Sequence, residues 1–214
     1  MKWTMYRWSC LLEALAFGGF LAAYIWKLQL AAPKSWMLIV VWLVASYFLR
    51  RDTPKTIGWR GDNLWAATKN AFWFFLVSGA LTCLAGLFLG MLQRTPAHVL
   101  EWRRFSNYAA FCLLQQVGLN SLVMNRLLAA FERAVPAALV AGAVFGLLHW
   151  PNPVLVPLTF VGGMAMSWLF ANERNILPLA LGQAILGALV WWAFPLAWHH
   201  SMRVGPGFRA YRLR

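Results

Sequence analysis

Four amides and one histidine stand inside apolar runs of this chain. Gln115, Gln116 and Asn120 share one run, His149 closes the next, and Gln183 lies in a later one. A polar side chain at membrane depth needs a partner within the protein, because hydrocarbon supplies none. Gln and Asn donate and accept hydrogen bonds and can hold a water, but an amide takes up no proton near neutral pH. Histidine does, since its ordinary pKa is about 6.5. Gln116 and Asn120 are four residues apart and share a helix face, as do Phe145 and His149. Each residue also has a plainer reading. Amides commonly join membrane helices, typically for about 1 kcal/mol or less per contact. A lone histidine at a helix end is often just a satisfied interfacial residue.

The rest of the chain supports a membrane setting. Of 214 residues 61% are hydrophobic and 12% charged, with a mean hydropathy of +0.59. A soluble domain carries roughly 25% charge, so an ordinary soluble fold is excluded. Fourteen Trp and fifteen Phe suit membrane interfaces and helix packing. The net charge of +13 comes from basic residues at the ends of apolar runs. That distribution points to lipid headgroups as partners rather than to nucleic acid. Cys10, Cys83 and Cys112 are dispersed among apolar residues, a pattern of neither disulfides nor a zinc site. The expectation is no metal and no cofactor.

The chain reads as an all-α polytopic bundle with about seven membrane segments. They span 10–30, 36–49, 71–92, 107–130, 135–150, 154–170 and 176–198. The second is short for a full crossing, which takes about 20 residues. Pro151-Asn152-Pro153 separates the fifth and sixth, so those two form a close hairpin. Lys2 and Arg7 precede a first run that reads as a retained helix rather than a cleaved leader. Residues 51–70 mix Trp59, Leu64 and Trp65 with Arg60, Asp62 and Lys69, as an interfacial stretch would. The tail over 199–214 holds His199, His200, a Gly-Pro-Gly turn, and Arg203, Arg209, Arg212 and Arg214. His199 and His200 read as interfacial residues. One membrane domain over 1–214 is expected. Basic residues divide almost evenly between the two sides, so the positive-inside rule sets no orientation.

The order and spacing of these motifs resemble the CPBP family of intramembrane proteases, the CAAX prenyl protease type II and Abi-like enzymes. That family carries E-E-x-x-x-R, then F-x-x-x-H often followed by Pro-Asn-Pro, then H-x-x-x-N. Here Phe145 to His149 and Pro151-Asn152-Pro153 match, and the resemblance covers about 105–190. It leaves 1–104 as additional helices. At the other positions stand Gln115 and Gln116 for the glutamates, Asn120 for the arginine, Gln183 for the histidine and Gly187 for the asparagine. The resemblance implies a site lined by these residues, Phe145 and Asn152, in which a glutamate of the pair would activate water.

A glutamine cannot take that proton. Gln, Gln, Asn and Gln instead keep hydrogen-bonding capacity while removing charges that are costly at membrane depth. The expectation is therefore a non-catalytic relative that binds a membrane protein or lipidated segment, or serves as a subunit of a larger complex. The alternative is an active endopeptidase with His149 as base and Gln115 or Gln116 placing water. A transporter ranks last, for want of intramembrane carboxylates beyond Glu13. The resemblance implies a bacterial inner membrane.

Overall fold

The computed structural model describes residues 4–92 and 102–212. Lys2 and Arg214, and the side chain of Arg212, lie outside the described residues. Those described form a helical membrane bundle, and the chain is an integral membrane protein.

α1 (Met5–Ala23) passes through a wide π turn, Tyr24–Leu28, into α2 (Gln29–Ala31). Together they make a 27-residue apolar rod, long enough to cross a membrane. α3 (Trp36–Arg50) has 15 residues. At 1.5 Å per residue it spans roughly 22 Å, short of a bilayer core of about 30 Å, as its sequence implied. The chain turns through Arg51, with φ of 55°, into α4 (Pro54–Ile57). There Thr53 and Thr56 cap each other's backbone N–H groups.

α5 (Leu64–Phe88) begins well before residue 71. Leu64 to Asn70 therefore belong to a membrane helix, and only the part up to Asn63 is a surface turn. Local helix preference explains the difference: Leu, Ala and Lys extend the helix, and Lys69 sits 5.8 Å over the Trp65 ring one turn back.

α6 (Trp102–Gln116) continues through a second π segment, Val117–Met124, into α7 (Asn125–Phe131). α8 (Ala134–Leu148) and α9 (Leu155–Glu173) form the expected hairpin. Glycines let their backbones approach: a Cβ on Gly142 would stand 2.6 Å from the Phe160 carbonyl oxygen. α10 (Leu177–Ala193) packs on α5 and α6. Phe194 and Pro195 break it before α11 (Leu196–His199), and α12 (Gly205–Arg212) closes the chain.

The contacts define two ends of the bundle. At the first, Arg7 Nε donates to the Ala130 carbonyl at 2.6 Å, and Asn175 donates to the Arg60 carbonyl at 2.9 Å. At the second, Gly205 N donates to the Trp150 carbonyl at 3.0 Å, and Arg209 lies 5.2 Å over Trp26. The start of α1, the 51–63 turn, the α7–α8 joint and the α9–α10 joint thus share one end.

That first end is held by buried charge. Arg126, only 3% exposed, reaches Asp52 at 2.5 Å, Glu13 at 3.3 Å and the Ser46 hydroxyl at 2.8 Å. Arg50 pairs with Glu13 at 2.9 Å, and the Ser46 hydroxyl also donates to Glu13. Asn125 donates to Asp52 at 3.1 Å and accepts from Arg174. The ions satisfy one another across α1, α3, the turn and α7, as charges out of water must. Removing Arg126 leaves the Asp52 carboxylate without its ion pair and Glu13 with Arg50 as its remaining cation. Arg126→Met should lower unfolding stability in detergent by about 3–5 kcal/mol, and adding Asp52→Asn should restore part of it. The exposed Arg60–Asp62 pair is the control: Arg60→Ala should leave the thermal transition in place.

Candidate functional site

Gln116 ends the regular part of α6, at mid-length of the helix formed by α6, the π segment and α7. The π segment widens the helix directly after it and carries Asn120. Gln116 and Asn120 are both fully buried.

The four sequence-singled amides form one chain of hydrogen bonds. Asn120 Nδ2 donates to Gln116 Oε1 at 2.5 Å. Gln116 Nε2 donates to Gln183 Oε1 at 2.6 Å, crossing from α6 to α10. Gln183 Nε2 returns to Gln115 Oε1 at 2.5 Å. The second Gln116 proton faces the Met166 sulfur on α9 at 3.3 Å. Gln116 therefore uses both amide protons and its carbonyl oxygen inside the protein. The chain runs from the buried centre to a half-buried edge, where Gln183 and Gln115 lie. Gln115 accepts there, and its own NH2 has no acceptor among the described residues.

Gly187 lies one turn after Gln183 on α10. A Cβ at that position would stand 2.0 Å from the Tyr108 hydroxyl. Tyr108 thus fills the space that a larger residue at 187 would take. Cys112 follows it one turn along α6. The sequence reading missed Tyr108. The available signal was its spacing, since Tyr108, Cys112 and Gln116 recur every four residues on one helix face. It missed Met166 as well, an apolar residue whose sulfur is used as an acceptor.

Phe145 and His149 stand apart from the amides. His149 Nδ1 lies 2.7 Å from the Phe145 carbonyl, and the two rings meet edge to face at 4.7 Å. Gly146 abuts Val156 and Phe160 on α9, whereas Gln116 reaches Met166. At 1.5 Å per residue the offset along the bundle is on the order of 10 Å. His149 sits toward the second end.

Asn152 is tied into the second end. Its Nδ2 donates to the His199 carbonyl at 2.9 Å and the Arg203 carbonyl at 3.1 Å. Its Oδ1 accepts from the N–H groups of Val154 and Leu155 at 3.1 and 3.0 Å. It caps α9 and fastens the tail, as a fully buried asparagine should with all its groups used. His199 is also fully buried, with Nε2 3.1 Å from the Phe194 carbonyl. His200 packs edge to face on Phe208 at 4.5 Å. Among the described residues, no group of three or more His, Cys, Asp or Glu is placed to hold a metal ion.

Residues 106–189 match the family described as type II CAAX prenyl endopeptidase Rce1-like. The chain is a CAAX protease-like membrane protein. The matched segment contains the whole amide chain, the Phe145–His149 pair and the Tyr108–Gly187 contact. No curated protein and no solved structure matches the chain.

Two outcomes follow for stability. Gln116→Leu strands Asn120 and Gln183 together and should cost about 1–3 kcal/mol, with Gln115→Leu at the edge costing less. Gly187→Ala should lower the melting temperature through its clash with Tyr108. Tyr108→Ala should relieve that clash, so the double variant should melt higher than the sum of the single losses allows.

Proposed function

We propose that this CAAX protease-like protein is non-catalytic and holds a transmembrane or lipidated segment of a partner in a bacterial inner membrane. The observation that carries the reading is the amide chain. Gln116, at a glutamate position of the resemblance, spends both amide protons on Gln183 and Met166 and its carbonyl on Asn120. No group able to take a proton is left at its centre. The outer end is different. Gln115 offers an NH2 at the half-buried edge between α6 and α10. A polar group of a neighbouring membrane segment is the natural acceptor, because lipid chains offer none.

A photocrosslinking residue in place of Gln115 should give a discrete adduct in native membranes. One in place of Leu81, on the lipid-exposed side of α5, should not. Gln115→Leu should weaken capture of the partner about 3- to 30-fold, the range of one interhelical amide contact of roughly 0.6–2 kcal/mol. The absence of a specific adduct would defeat the reading.

One observation favours the alternative, an endopeptidase with His149 as base. The Phe145 carbonyl only accepts, so His149 Nδ1 carries the proton and Nε2 is left as acceptor. Under that alternative the purified protein cleaves lipidated peptides, and His149→Ala abolishes the cleavage. Under the proposed function neither protein cleaves.

A further inference from the structure

We infer that the groove between α1 and α3 is a binding site for one anionic phospholipid, with the acyl chain along the helices and the phosphate at Arg50 and Arg51. The site lies outside the segment that matches the family. It is independent of the amide chain.

The groove holds about 690 Å³, a volume within the roughly 300–1,000 Å³ typical of ligand sites. Its lining changes character along its length. Glu13, Ser46 and Arg50 stand at the first end of the bundle, and Phe20, Leu38, Val41 and Trp42 continue toward the second. From Leu38 to Arg50 the α3 wall runs for roughly 18 Å at 1.5 Å per residue. α3 touches α1 through few anchors. Trp42 meets Phe17 and Phe20 at 5.7 Å each, Ser46 donates to Glu13, and Arg50 at the head end holds Glu13 and Ser9 and lies over Tyr6. Between these anchors stands Ala45, a small exposed residue. Two helices joined this sparsely leave a cleft that hydrocarbon has to fill, since neither water nor a void is stable there.

The charge at the head end selects the headgroup. Arg50 and Arg126 are paired with the carboxylates of Glu13 and Asp52. The exposed Arg51, next to Arg50 in the chain, and the exposed Lys55 add positive charge toward the membrane surface. Cations against a phosphate at the lipid surface favour an anionic lipid over a zwitterionic one.

The test uses the whole chain in detergent with two probes, phosphatidylglycerol and phosphatidylcholine. Native mass spectrometry should retain one phosphatidylglycerol on the wild type. Phosphatidylglycerol should also raise the thermal transition more than phosphatidylcholine does. Ala45→Trp fills the groove from an exposed position and should cut retention at least tenfold while the protein stays folded. Arg51→Gln should remove the preference between the two lipids but leave chain binding. Equal retention by Ala45→Trp, or no stabilisation of the wild type by phosphatidylglycerol over phosphatidylcholine, would overturn the inference. So would a second copy of the chain crosslinked through Ala45→Cys. If Ala45→Trp proves unstable, Val41→Trp repeats the test from the apolar half of the groove.

Discussion

Hydrocarbon hydrogen-bonds nothing, so every polar group inside this bundle must find its partner in the protein. That one constraint organises the chain at two depths. At the first end, Arg126 gathers Asp52, Glu13 and Ser46 from three other parts of the chain, which fixes α1 and α3 against α7. At mid-bundle, Gln116 gathers Asn120, Gln183 and Met166, which fixes α6 against α10 and α9. The first network is ionic and sits where charge can approach the interface. The second is neutral and sits deep, where an ion would be far more costly. Depth and charge are matched.

The neutral network also decides what the site can do. An amide can occupy the place of a carboxylate or an imidazole and make many of the same hydrogen bonds, yet it cannot cycle a proton. The chain of donors ends at Gln115, whose NH2 has no acceptor among the described residues; in the proposed function that group serves recognition. The Tyr108–Gly187 contact belongs to the same logic. A residue larger than glycine at 187 would meet the tyrosine hydroxyl, and the space is closed by a side chain from α6. Meanwhile Asn152 and the tail seal the second end, with Asn152 holding His199, Arg203 and the start of α9 together.

Much of this was legible in the sequence. The polar residues of the apolar runs were visible as a set, and their order carried the family resemblance that residues 106–189 bear out. The α8–α9 hairpin followed from Pro151-Asn152-Pro153, and the shortness of α3 from its flanking charges. What sequence hid was pairing across distance. Arg126 stands 74 residues from Asp52 and 113 from Glu13, so no local pattern links them. The start of α5 was placed too late because the charges up to Lys69 made residues 51–70 read as one interfacial stretch, although a lysine stem can lie along an apolar helix. Asn152 read as site-lining from its motif, and its contacts add a cap of α9 and a tie to the tail that no local pattern announced.

In the proposed function, this CAAX protease-like protein binds a partner segment and carries out no peptide hydrolysis. The most direct test compares protein termini in membranes from three strains: wild type, deletion, and deletion complemented with His149→Ala. The account predicts the same set of processed termini in all three. Termini present in the wild type and lost in both of the others would contradict it, and would show a working endopeptidase built around His149.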